Sequence, residues 1–237
     1  MESPSPSLTK AGFIVLTLGM YILVMLELKK AVNKTHWTDK QKKTRYQRAL
    51  VALIGWTVMI SILALSGFLH DFSATPPRVM IVLAVPLITM VTLMFSSSVR
   101  DLLLLIPAQN IIRLQVFRIF VEILLWMMLL QNALPVQMTF EGRNFDVLAG
   151  LTAPFAAYFL VQHRAALIVW NILSLGLLIN IIVIAILSLP SPLRIFMNEP
   201  ANTIVAEFPY VLLPGLLVPL AYGLHFLSLK QLLMQKK

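Results

Sequence analysis

The chain has 237 residues, of which 59% are apolar and only 12% are charged, and its mean hydropathy is +0.85. Soluble domains are about half apolar and about a quarter charged, so the composition excludes a water-soluble globule and a disordered chain. The absence of cysteine excludes disulfide frameworks and thiolate chemistry. The net charge of +9 comes mostly from Lys and Arg beside apolar runs, a pattern typical of membrane topology and not of nucleic-acid binding.

Seven apolar runs are long enough to be considered as membrane spans, since a helix needs about 20 residues to cross a hydrocarbon core of about 30 Å. They predict an all-α, polytopic integral membrane protein, with residues 1–237 forming one seven-helix transmembrane domain. The fifth run is the shortest and contains Pro154, which predicts a kink. The runs cover residues 11–28, 49–69, 79–98, 111–131, 147–161, 165–189 and 208–229.

The first run is expected to be a span and not a cleaved signal peptide. The segment before this run, Met1–Lys10, is acidic and contains proline, and the basic cluster follows the run. A signal peptide has the opposite order, with the basic residues before the apolar run. Eight Lys and Arg residues lie between the first and second runs. Positively charged loops stay in the cytoplasm, so the N-terminus is predicted outside and the C-terminus inside.

The same basic segment, residues 29–48, is a candidate for binding anionic lipid headgroups, with topology alone as the alternative role. Under the predicted arrangement fourteen Lys and Arg residues lie on the cytoplasmic side and four on the outer side. We expect a multi-pass protein of the plasma membrane or an inner membrane.

The fourth run contains the densest set of polar residues at predicted membrane depth. Gln115, Arg118 and Glu122 are spaced to share one helical face, and two charges at this depth cost about 5 to 7 kcal/mol to insert. The stripe must therefore face protein or water. One interpretation is a ligand cavity with Arg118 facing an anionic group; the other is an ion pair between Arg118 and Glu122 that stabilises the bundle.

The sixth and seventh runs add three candidate ligand-binding residues: Asn171, Asn180 and Tyr222. The two asparagines point about 180° apart on a helix, so at most one faces a given cavity and the other is expected to bond a neighbouring helix. The seventh run is rich in proline and glycine. We expect a broken or kinked helix there.

The outer segment Phe196–Glu207 is long enough to fold over the mouth of the bundle. Glu199, Asn202 and Glu207 are the polar residues predicted for such a cap. The spacing of its acids matches no known metal-binding loop, so no metal is predicted.

Haem is the candidate cofactor, because the chain contains histidines that could serve as axial ligands. His163 and His225 are both predicted near the cytoplasmic ends of their spans, where one haem could bridge them. Interfacial histidines are usually ordinary polar side chains, so no cofactor is predicted.

Three functions fit these features. The first is a non-catalytic membrane protein that binds or transports a small anionic or amphipathic molecule between spans four, six and seven. The second is an intramembrane enzyme that acts on a lipid or isoprenoid, with Glu122 or an outer acid as acid or base. The third is a structural or assembly subunit, in a homo-oligomer or with a membrane partner.

Overall fold

Helices form almost all of the regular structure in the computed structural model, which describes residues 4–234. The chain is 75% helical and has no strand among the described residues, so the predicted all-α class is confirmed. The α-helices are α1 (Pro6–Lys34), α2 (Asp39–Leu65), α3 (Ile81–Met94), α4 (Ser97–Leu103), α5 (Ala108–Arg113), α6 (Phe117–Leu130), α7 (Val147–Phe155), α8 (Arg164–Leu187) and α9 (Val218–Met234).

Four helical segments in the described part of the chain are long and apolar enough to cross a membrane: Pro6–Lys34, Asp39–Leu65, Arg164–Leu187 and Leu213–Met234. A fifth appears if Arg78–Met94 and Ser97–Leu103 are taken together, although they bend by 80° at their junction. The predicted fourth run falls on α5, a 3₁₀ turn at Leu114–Val116 and α6. The predicted fifth run falls on the shorter helix Val147–Leu160. Seven crossings therefore remain a prediction.

The two ends of the helix bundle are identified by the residues that are in contact at each end. At one end, which we call the basic end, Arg45 contacts Ser98 and Lys230 contacts the carbonyl of Met94. At the other, the cap end, Gln131 donates to the carbonyl of Ser5 at 3.4 Å. The start of α1 therefore lies at the cap end, and the last turns of α9 lie at the basic end. The two ends of the described chain are at opposite ends of the bundle.

Most of the basic segment, residues 29–48, is helical, because it includes the end of α1 and the start of α2. Only residues 35–38 connect the helices. Thr38 accepts a hydrogen bond from the backbone N–H of Gln41, whose side chain accepts one from the Thr38 N–H, and this capping box begins α2. The basic side chains therefore project from helix ends.

The segment after α6, residues 131–146, folds back into the bundle instead of lying outside it. Gln137, Thr139, Asn144 and Asp146 are buried. The turn needs glycine at position 142, because a Cβ there would lie 2.3 Å from the carbonyl oxygen of Val136. Such irregular backbone is tolerated at membrane depth only when it is buried in protein or lines a cavity.

This inward fold explains why the fifth run is short. Helix α7 begins beside Arg118, a residue in the first turn of α6. From that level Val147–Leu160 rises only about 21 Å at about 1.5 Å per residue, less than a full hydrocarbon core. Its last turn, Ala156–Leu160, is a π-helix that follows Pro154.

The start of the last helix is broken, as its prolines predict. A π-helical turn at Leu213–Leu217 precedes α9. Pro219 has no N–H to donate to the carbonyl of Gly215, four residues earlier. Trp56 of α2 donates its Nε1–H to that carbonyl at 2.8 Å, so a neighbouring helix satisfies the backbone at the break.

Candidate functional site

Arg118 lies at the centre of a buried polar cluster and is only 2% exposed. Its Nε donates to Asp146 Oδ2 at 2.7 Å, and its Nη2 donates to the other oxygen of the same carboxylate. This forked pairing is the strongest arrangement for an arginine and a carboxylate. The predicted partner, Glu122, is instead held by other residues, so the proposed ion pair between Arg118 and Glu122 is wrong.

The remaining bonds of Arg118 lead toward α9 and α8. Nη1 lies 2.9 Å from His225 Nε2, and Nη2 lies 3.3 Å from the carbonyl oxygen of Ser174. Four of the five N–H groups of this guanidinium thus have partners. Little donor capacity is left for an anionic ligand.

The contacts of His225 define its tautomer, because Arg118 can only donate. His225 Nε2 must accept, so Nδ1 carries the proton and donates to Asn171 Oδ1 at 3.0 Å. Asn171 Nδ2 in turn donates to Ser228 Oγ at 3.0 Å and to the carbonyl of Leu167 at 2.9 Å. The imidazole is fully hydrogen-bonded and 0% exposed.

Glu122 is connected to the same cluster through the inward-folded segment. Its Oε1 accepts from the backbone N–H of Phe140 at 2.6 Å, and its Oε2 accepts from Asn144 Nδ2. Asn144 Oδ1 accepts from the backbone N–H of Asp146 at 3.0 Å. A continuous polar chain therefore joins Glu122, Asn144, Asp146, Arg118, His225, Asn171 and Ser228.

A cavity of about 100 Å³, which opens at one side, lies beside this polar chain. It is bounded by α3, α6, α8 and the π-helical turn before α9. Most of its wall is aliphatic, including Leu83, Val121, Leu178 and Ile182. The polar residues of the wall are Arg118, Glu122, Asn144, Asp146 and Asn202. An apolar enclosure with a few convergent polar groups is the usual form of a small-molecule site.

The segment predicted as a cap contributes two residues to the cavity wall, Asn202 and Val205. Asn202 is 1% exposed, and its Nδ2 donates to the carbonyl of Ala185 at 3.0 Å. Its Oδ1 is buried without a hydrogen-bond partner among the described residues. An unsatisfied buried acceptor costs about 1 to 3 kcal/mol.

The two predicted cap acids lie outside the cavity. Glu199 is exposed and accepts from Arg194 Nη2 at 2.9 Å. That hydrogen bond, together with one from the backbone of Ala201, lowers the pKa of the Glu199 carboxyl. Glu207 is exposed, with its Oε1 4.0 Å from His70 Nε2.

Four predicted ligand-binding residues also lie away from the cavity wall: Gln115, Asn171, Asn180 and Tyr222. Gln115 is buried, and its Nε2 donates to the carbonyl of Ala221 in α9 at 3.1 Å. Asn180 is exposed and donates to the carbonyl of Arg143 at 3.0 Å. Tyr222 stacks near Phe226, with ring centroids 5.7 Å apart. Asn171 joins the polar chain while Asn180 does not, in agreement with their opposite faces on α8.

The haem considered from the sequence does not fit this arrangement. Both ring nitrogens of His225 are occupied by Arg118 and Asn171, so neither is free to ligate iron. His163 is exposed at the start of α8.

Sequence reasoning missed Asp146 and Asn144 as site residues. Both lie directly before a run of only about 15 apolar residues, too short to cross a bilayer. The shortness of that run was a signal that the polar residues before it fold into the bundle, where both are buried. His225 and Ser228 could have been paired with Asn171 only from the packing of α9 on α8.

Comparison with known proteins adds one relationship. Residues 76–233 match the sequence profile of a family described as a domain of unknown function (DUF8737). The matched range contains every residue of the polar chain and of the cavity wall, whereas α1 and α2 lie before it. No curated protein and no solved structure matches the chain.

Proposed function

The chain belongs to the DUF8737 family, and we propose that it is a multi-pass membrane protein that binds or transports an amphipathic small molecule in the cavity between α3, α6 and α8. The observation that carries the proposal is a largely aliphatic wall with five polar side chains, four of which are joined by hydrogen bonds. An amphipathic molecule could pack its apolar part against the aliphatic wall and form hydrogen bonds to the polar side chains with its polar part. An anionic molecule is a weaker candidate, because Arg118 is already engaged by Asp146 and His225.

Seven membrane crossings, with the N-terminus outside, complete this proposal. The basic end would then face the cytoplasm, in line with the positive-inside rule. The cap end, with Glu199 and Glu207, would face outward, and the inward fold at residues 131–146 would form a re-entrant segment. A plasma or inner membrane is the proposed location.

An intramembrane enzyme acting on a lipid is the second candidate. The observation in its favour is that two carboxyl groups, those of Glu122 and Asp146, line the same cavity. Both are occupied by strong hydrogen bonds, which favours binding over proton transfer.

The cavity proposal is tested by filling the cavity. Ala185 lines it, so Ala185→Trp should exclude an occupant. Ala165→Trp places the same side chain at an exposed position near the start of α8 and is the matched control. Each protein is purified in mild detergent, and its bound organic molecules are extracted and identified by mass spectrometry.

We expect an amphipathic molecule at close to one per chain in the parent and in Ala165→Trp, and its depletion in Ala185→Trp. The proposal is wrong if Ala185→Trp is folded and retains the same molecules in the same amounts.

A further inference from the structure

The polar groups on the cavity wall have an excess of hydrogen-bond acceptors over donors. The side-chain donors of the wall are Arg118 and the amides of Asn144 and Asn202. Four of the five N–H groups of Arg118, both of Asn144 and one of Asn202 are used within the protein. The acceptors are the carboxylates of Glu122 and Asp146 and the amide oxygen of Asn202. Each carboxylate oxygen has two lone pairs, so acceptor capacity remains.

Asn202 provides the independent observation that points to a ligand. Its amide orientation is fixed, because Nδ2 donates to the carbonyl of Ala185. The side chain is 1% exposed and lines the cavity, and Oδ1 lacks a partner among the described residues. Buried polar atoms are nearly always satisfied, so a donor from outside the protein is the missing partner.

We propose that the occupant of the cavity carries a hydrogen-bond-donating head, a hydroxyl or an ammonium group, which donates to Asn202 Oδ1. A hydroxyl has one hydrogen to donate and uses it there, whereas an ammonium group has three and can also donate to the carboxylate of Glu122. The substrate class is then a long-chain alcohol or amine, or a lipid with such a head. This inference depends on the proposed function and specifies which amphipathic molecules the cavity selects.

The test compares four probes that share a twelve-carbon chain: dodecanol, dodecylammonium, dodecyl methyl ether and dodecyl phosphate. The delipidated full chain is placed in bilayer nanodiscs, and the dissociation constant of each probe is measured by competition with radiolabelled dodecanol. One donated hydrogen bond corresponds to roughly fivefold in affinity. We therefore expect dodecanol or dodecylammonium to bind about fivefold or more tightly than dodecyl methyl ether and more tightly than dodecyl phosphate.

The comparison between dodecanol and dodecylammonium identifies whether the natural head is neutral or cationic, and either preference supports the inference. Asn202→Leu should abolish the advantage over the ether. Asn180→Leu, the same substitution at an exposed position of α8, should preserve it. Should Asn202→Leu fail to fold, Asn202→Asp keeps an acceptor and should shift the preference toward dodecylammonium by about tenfold, through a charge-assisted bond.

Two results overturn the inference while the proposed function stands: equal binding of the alcohol and its ether, or tightest binding of the phosphate, provided that Ala185→Trp blocks all probes. Probe binding that Ala185→Trp leaves unchanged removes the cavity as the site, and the proposed function fails with the inference.

Discussion

Arg118 is buried inside the helix bundle, where its charge requires a partner, and Asp146 accepts two hydrogen bonds from it. Removal of one member of such a pair leaves an uncompensated buried charge, which costs about 3 to 5 kcal/mol. Arg118→Leu and Asp146→Leu should each lose about that much stability, while the double variant recovers most of it. Unfolding in detergent with increasing denaturant measures the loss.

These two single variants and the double variant form a double-mutant cycle. The exposed pair Arg100 and Asp101 is its control. Replacement of either with leucine should change stability by no more than about 1 kcal/mol. A cycle in which Arg118 couples to Glu122 more strongly than to Asp146 would contradict the arrangement described.

His225 forms hydrogen bonds with two buried side chains, those of Arg118 and Asn171. In His225→Leu the Nη1 of Arg118 and the Oδ1 of Asn171 lose a partner, and unsatisfied buried groups cost about 1 to 3 kcal/mol. His163→Leu is the same change at an exposed position, with an expected effect within about 0.5 kcal/mol. Thermal unfolding of both variants measures the difference, and equal effects would argue against the assigned hydrogen bonds.

At the scale of the elements, α7 approaches α6 closely enough to bring Asp146 to Arg118. Gly150 makes this approach feasible, since a Cβ there would lie 3.0 Å from the backbone nitrogen of Ile119. Gly150→Ala should push the helices apart and destabilise the protein by about 1 to 3 kcal/mol.

Gly176 in α8 is the matched control for Gly150, because a Cβ at Gly176 would have open space among the described residues. Gly176→Ala should stabilise its helix by up to about 1 kcal/mol. Thermal unfolding measures the stability of both variants. If Gly150→Ala left the stability unchanged, the contact between α6 and α7 would not require glycine at this position.

The basic end offers an element-scale prediction about lipids. Lys40, Lys43 and Arg48 are exposed on α2, and a basic residue near an anionic surface contributes about 1 kcal/mol. Replacement of all three with glutamine should reduce retention of phosphatidylglycerol in native mass spectra at low salt and leave retention of phosphatidylcholine unchanged. If the parent and the variant retained the same amount of phosphatidylglycerol, lipid binding would be excluded, and the basic residues would act only in setting the membrane topology.

For the whole molecule, the helical class and the positions of the apolar segments could be predicted from hydrophobic run length. The polar stripe of α6 was also predictable, because Arg118 and Glu122 are costly in a membrane wherever they lie. Their partners were not predictable in this way. Asp146 reaches Arg118 only because residues 131–146 fold inward, and that path depends on packing between segments distant in sequence.

The orientation of the whole chain is a separate prediction. Epitope tags at residues 2 and 237 should be accessible from opposite sides of the membrane, with the tag at residue 237 in the cytoplasm. Selective permeabilisation of cells and antibody labelling measure this. Two tags on the same side would require an even number of crossings and a revised role for α7 or for the bend between α3 and α4.

The most direct test of the binding cavity is an experimental map of the chain in lipid nanodiscs, determined by electron microscopy with a bound antibody fragment to add mass. We expect elongated density between α3, α6 and α8, with its polar end beside Asn202 and with Arg118 still paired to Asp146. A cavity closed by the side chains of α6 and α8, with no density in it, would show that the proposed binding site does not exist.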